Sequence, residues 1–183
     1  MKQITLFILI VLSACNNKIP ESTNTNDLYD YDVEQRISEL GITLKTPGKP
    51  IANYRNAVKA GDLVFMAGKG SRKPDGSLFT GKVGAALTVE QGYEAARSAG
   101  IEQLAALKAE IGDLNKVVRI VKVLGMVNAD STFTNHPEVI NGFSDLMVEV
   151  FGERGKHARA AVGMSSLPRN LTCEIEMIVQ VTE

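Results

Sequence analysis

HARAAVGMSSLPRNLTCEIEMIVQV, residues 157–181, decides how this chain is read. It reads as two strands joined by a turn. The first carries one formal charge, Arg159, among small apolar residues. The second alternates. Cys173, Ile175, Met177, Val179 and Val181 share one face, and Thr172, Glu174, Glu176, Ile178 and Gln180 share the other. Leu167-Pro168-Arg169-Asn170 between them supplies turn formers. The apolar face of the second strand calls for helices. Arg159 and the two glutamates fall on adjacent strands, either as a structural ion pair or as the working parts of a site.

The segments upstream supply those helices. In Thr88–Ile111, Val89, Tyr93, Ala96, Gly100, Leu104, Leu107 and Ile111 form one apolar stripe. Thr88 and Gln91 read as a capping box at its start, and Gly112 as its stop. The stripe is rich in alanine and glycine, so the helix can lie close against a sheet. A second helix opens at Asn135-His136-Pro137-Glu138, with proline in the first turn and an acid at the positive end. Its stripe is Val139, Ile140, Phe143, Leu146, Met147, Val150 and Phe151.

Between the helices, Lys116–Val127 is apolar on both faces. Val117, Val121 and Val123 are expected on one face, Val118, Ile120 and Leu124 on the other. Such a strand is central in its sheet. Further upstream, Tyr54–Lys59 and Leu63–Ala67 read as a hairpin about Ala60-Gly61-Asp62. Gly68–Ser77 reads as a surface loop closed by Pro74-Asp75-Gly76, and it lacks a phosphate-loop pattern. Val33–Leu40 is one short helix stopped by Gly41. The order is β-β-α-β-α-β-β, an α+β fold with a mixed sheet and two helices on one face. The other face has no layer left to cover it, which predicts a symmetric oligomer.

The N-terminus reads as an address. Lys2 precedes an apolar run from Ile4 to Leu12, too short to span a bilayer. Leu12-Ser13-Ala14-Cys15 resembles a bacterial lipobox, so residues 1–15 are expected to be a lipoprotein signal and Cys15 the lipidated residue. Asn16 after the cysteine favours the outer membrane, with the domain on the periplasmic side. Residues 16–32 are polar and read as a disordered tether, leaving 33–183 as the domain.

Composition narrows the function. Net charge is −1, and there is no tryptophan. Neither a large electrostatic nucleic-acid surface nor an aromatic stacking platform is visible. Two histidines and two cysteines, widely spaced, give no metal-ligand pattern, and no cofactor is called for. Cys173 reads as an inert core thiol, and His157 as a surface strand start.

The closing stretch resembles the RidA family of imine deaminases, also called YjgF or L-PSP endoribonuclease. The resemblance rests on Ala158-Arg159-Ala160-Ala161-Val162, Leu167-Pro168 and Glu174-Ile175-Glu176. Tyr54 in Tyr-x-x-Ala-Val, Phe65-Met66-Ala67-Gly68 and Asn141 support it. It implies a chorismate-mutase-like fold and a homotrimer with clefts between subunits. It also implies hydrolysis of 2-aminoacrylate-type enamines and imines, such as 2-iminobutanoate and 2-iminopropanoate, to 2-oxo acid and ammonia. Arg159 would grip the substrate carboxylate and Glu174 would hold and polarise water, with Tyr54 and Asn141 lining the cleft. Two positions depart from the family pattern: Ala67-Gly68-Lys69 stands where Ser-Gly-Gln is usual, and Ala161 where many relatives have cysteine. The spacing from Asp130 to Pro137 also differs. A small-carboxylate-binding trimer without turnover is the alternative, and an endoribonuclease a further one.

Overall fold

The computed structural model describes residues 28–182, so the signal segment and Cys15 lie outside the described residues. Its elements are α1 (Val33–Glu39), β1 (Ala57–Ala60), β2 (Leu63–Gly70), α2 (Val89–Ile111), β3 (Val117–Asn128), α3 (His136–Phe151), β4 (Ala158–Met164) and β5 (Cys173–Val181). Packing begins ahead of the expected boundary at residue 33. The Tyr29 hydroxyl donates to Val117 O at 2.6 Å and that of Tyr31 to Val150 O at 3.0 Å.

One five-stranded sheet runs β1-β2-β5-β3-β4, and β3–β4 is its parallel pair. The closing strands are therefore not neighbours, as the sequence reading had them. β3 lies between β4 and β5 and pairs with both. The reason is α3. It leads from β3 to a parallel strand, and a parallel pair requires such a crossover. Residues 165–172 then carry the chain over β3 to its far side. Their turn holds Arg169 and Asn170 at φ 55° and 57°, in the left-handed region.

β5 behaves as its alternation predicts: the odd-numbered residues are buried beneath the helices, while Glu174 and Glu176 lie on the open face. β3 does not. Its pairing with β5 shifts register between Val117 and Arg119 and again between Ile120 and Lys122. Each irregularity moves the following residues to the other face. Val117, Ile120 and Val123 are buried together, and Val121 is not.

α2 has both halves of its capping box, with Gln91 N donating to Thr88 Oγ1 at 3.3 Å and Thr88 N to Gln91 Oε1 at 2.9 Å. Its small residues serve α3 as well as the sheet. A side chain at Gly100 would overlap Leu146, and one at Gly142 would overlap the Tyr93 carbonyl. Phe143, Phe151, Leu104, Leu107 and Ile175 are fully buried between the layers. Each contributes roughly 1.5–3 kcal/mol. The second sheet face has no such cover among the described residues: Val58, Phe65 and Val162 are exposed on it.

Candidate active site

The candidate residues separate into two groups. Arg159 lies on the edge strand β4 opposite Val123, a core residue of the helix side. Its Nη1 donates to Asn141 Oδ1 at 2.9 Å and Ser144 Oγ at 3.0 Å, both on α3. Asn141 and Ser144 are three residues apart, so they present to the same side of the helix. Ser144 Oγ also meets His157 Nε2 at 3.1 Å, and His157 Nδ1 meets Gly155 O at 2.7 Å. A carbonyl only accepts, so Nδ1 carries the proton and Nε2 accepts from Ser144. Burial pushes the His157 pKa below its ordinary value, against the Gly155 bond and helped by the Arg159 charge. The neutral ring fixes the serine hydroxyl, which leaves the Ser144 oxygen to receive the guanidinium. Ser144 is a member of this corner that the sequence reading missed, and His157 is more than a strand start.

Glu174 is elsewhere. It pairs with Met126 across β5–β3 and with Gly70 across β5–β2. Arg159 and Glu174 therefore lie on opposite faces with β3 between them. Two strand spacings and three residues of rise put their Cα atoms roughly 14 Å apart. An ion pair between them within one protomer is ruled out. Among the described residues neither Glu174 nor Glu176 has a salt-bridge partner.

The Glu174 carboxylate lies over Gly68, where any Cβ would overlap its Oε1. The β2–β5 register shifts here, between Met66 and Lys69. A buried glutamine of α2 holds the irregularity: Gln103 Nε2 donates to Ala67 O at 3.0 Å and Ile175 O at 2.6 Å. Burial raises the Glu174 pKa, and neighbouring Glu176 raises it further. Tyr54 is half exposed and precedes β1 rather than lying in it. With Gly68, Lys69 and Gly70 it lines a cavity of about 210 Å³ along the edge of β2. Lys69 Nζ donates to Asn56 Oδ1 at 2.5 Å.

The structure thus brings Asn141 to Arg159, and Tyr54 to the strand that supports Glu174, and keeps the two groups apart. Cys173 faces the core, its thiol pushed up to about 12 by burial, which suits an inert role. Among the described residues no three His, Cys, Asp or Glu side chains gather as metal ligands.

Known proteins of this architecture share much of the chain. It is 37% identical over 150 residues to Protein TCP17 of Trypanosoma cruzi, covering 81% of this chain and 94% of that one. It is 34% identical over 141 residues to a RutC family protein of Pyrococcus abyssi, covering 76% and 94%. The crystal structure of Agrobacterium tumefaciens Atu1372, of unknown function, superposes with a TM-score of 0.76 at 38% identity, over 86% and 95% of the two chains. A crystal structure from Shewanella oneidensis described as a "putative endoribonuclease" gives a TM-score of 0.79 at 28% identity, over 82% and 100% of the two chains. Residues 34–181 match the family described as "YjgF/chorismate mutase-like, putative endoribonuclease". With the fold, the Arg159 corner and the Glu174 edge in place, the chain belongs to the RidA/YjgF family.

Proposed function

We propose that this protein hydrolyses small 2-imino carboxylates, and the enamines in equilibrium with them, to 2-oxo acids and ammonia. The observation that carries this is the treatment of the two charges. Among the described residues the Arg159 guanidinium is held by neutral oxygens alone, so its charge is left for a ligand carboxylate. The Glu174 carboxylate is half-buried, without an ion-pair partner among the described residues, and burial with neighbouring Glu176 raises its pKa, which makes it a stronger base than an ordinary carboxylate and suits a group that takes and returns a proton.

In this reading Arg159 holds the substrate carboxylate. Glu174 takes a proton from water as its oxygen bonds to the carbon of the protonated imine, giving a neutral carbinolamine. Glu174 returns that proton to the nitrogen, then takes the carbinolamine hydroxyl proton as the C–N bond breaks, the carbonyl forms and ammonia leaves. Water supplies the oxygen, and nothing is oxidised or reduced.

One protomer keeps the two groups apart, so the reading requires a second. A homotrimer meets that requirement. The apolar open face, with Val58, Phe65 and Val162 exposed, supports an association that covers it. Lipidation at Cys15 would tether the trimer to the membrane. A trimer that binds carboxylates without turnover is the second reading. It is favoured by Ala67, which puts no hydroxyl at the strand end.

Ammonia release from freshly generated 2-iminopropanoate tests the proposal. Arg159→Ala should lower kcat/KM by about 10²–10³-fold, from the loss of a charge-assisted, two-point grip. Unchanged turnover in that variant would remove the imine reading. Ligand-dependent thermal stabilisation without ammonia from the natural chain would favour the binding trimer.

A further inference from the structure

The edge of β2 carries more positive charge than imine hydrolysis uses. Past Met66, β2 runs beyond the start of β1, and its outer edge borders the 210 Å³ cavity. Lys49, Lys69, Arg72 and Arg169 line it, against one carboxylate, Glu102. None of the four cations is in a salt bridge among the described residues.

Lys69 is the informative one. It is partly buried, and the partner of its ammonium is the neutral Asn56 amide. A buried charge is costly unless an opposite charge meets it. Burial also lowers the Lys69 pKa, with Glu102 opposing. At this position the related pattern has an uncharged glutamine. Arg169 is held at φ 55°, a conformation unusual for a side chain of its kind, by a turn whose Asn170 carbonyl accepts from Gly81 N at 3.0 Å. Gly68 lines the cavity and also lies beneath Glu174. Glu174 does not itself line the cavity, but Gly68 is shared by both, so the cavity comes within one residue of the group assigned to water. Its size is below the roughly 300–1,000 Å³ of a complete small-molecule site, so it suits one arm of a ligand.

We propose that this cavity binds a second acidic group, so that the preferred substrates are 2-imino diacids, with the distal carboxylate at Lys69 and Arg72, Arg169 and Lys49 around it. This rests on the imine reading above: the first carboxylate goes to Arg159 of a neighbouring protomer, and the reacting carbon lies by Glu174. The reaction that supplies such a substrate is oxidation of an acidic amino acid at its Cα–N bond by an electron acceptor, or β-elimination from one that carries a leaving group on Cβ, and a 2-oxo diacid is the product of the hydrolysis.

Calorimetric titration of the full chain with 2-oxoglutarate and 2-oxobutanoate separates the possibilities. The diacid should bind at least about tenfold more tightly. Lys69→Gln should bring the diacid to the monoacid's affinity and leave the monoacid unchanged. Arg169→Gly, which relieves the backbone, should reduce the preference in part. Arg159→Ala should weaken both acids alike. Equal binding of the two acids by the natural chain, or equal weakening of both by Lys69→Gln, would overturn the diacid subsite and leave the imine reading standing. Selective loss in Lys69→Gln with a silent Arg159→Ala would keep the subsite and remove Arg159 from the site. Failure of both acids to bind would overturn both readings. Displacement of the diacid by short oligouridylate, itself retained by the natural chain and lost in Lys69→Gln, would overturn the diacid in favour of a phosphate backbone.

Discussion

The Arg159 corner and the Glu174 edge treat their charges in opposite ways. At the corner the polar side chains form one connected chain of contacts. The Gly155 carbonyl fixes His157, His157 fixes Ser144, and Ser144 and Asn141 fix the guanidinium. At the edge the carboxylate lies on bare glycine without an ion-pair partner among the described residues, the tyrosine is half exposed, and the ammonium meets one neutral amide. A grip must be aimed before the ligand arrives, because loose geometry forfeits much of a bidentate contact. A proton carrier must stay uncommitted, because each strong partner would pull its pKa back down. The contrast is what two halves with different tasks should show.

The largest change should come from removing the proposed proton carrier. Glu174→Gln should lower kcat by about 10²–10⁴-fold in the ammonia assay, with 2-oxo acid binding nearly retained. Its stability should move the other way. The Glu174 pKa is raised in the folded state, so the native chain carries the cost of ionising it above that pKa and none below the unfolded value. Thermal melts should therefore show Glu174→Gln at least as stable as the natural chain at pH 8, with any gain gone at pH 4. A destabilised variant at pH 8 would mean that the carboxylate has a partner after all.

Gly68→Ala should come next. The added methyl overlaps Glu174 Oε1, so the carboxylate must move. Displacement on that scale should cost about 10–10²-fold in kcat and leave the affinity governed by Arg159 in place. A matched loss of affinity would show that the edge and the corner are not separable.

Ser144→Ala should be the mildest. It removes one of two contacts to Arg159 and leaves Asn141. A loss of about 1 kcal/mol corresponds to roughly a fivefold rise in KM at unchanged kcat. A fall in kcat instead would place Ser144 in the chemistry rather than behind the grip.

The sequence carried local structure well and long-range pairing poorly. The α2 capping box, the α3 stripe and the β5 alternation are each written within one element, and the structure has all three. The placement of β3 between β4 and β5 is not written locally. Leu167–Asn170 reads the same whether it closes a hairpin or crosses over a strand. The β3 irregularities were also silent, because a run of valine, isoleucine and leucine looks alike in either register. At the site, the resemblance pointed to Arg159, Glu174, Tyr54 and Asn141. Only the fold shows that Asn141 joins Arg159 on the helix side, while Glu174 lies on the open face and Tyr54 at the edge of β2. Ser144 was within reach of sequence reasoning, three residues from Asn141 on the same helix. Gln103 was not, since a polar residue beside an apolar stripe ordinarily faces solvent.

The central claim is that one protomer's corner works with another protomer's edge. Subunit mixing tests it most directly. Arg159→Ala and Glu174→Gln chains, each inactive alone, are co-expressed in equal amounts and assayed for ammonia release as mixed trimers. Random assembly gives one intact cleft in each mixed trimer, so activity should return to about one quarter of that of the natural protein. Mixed trimers no more active than their parents would contradict the claim.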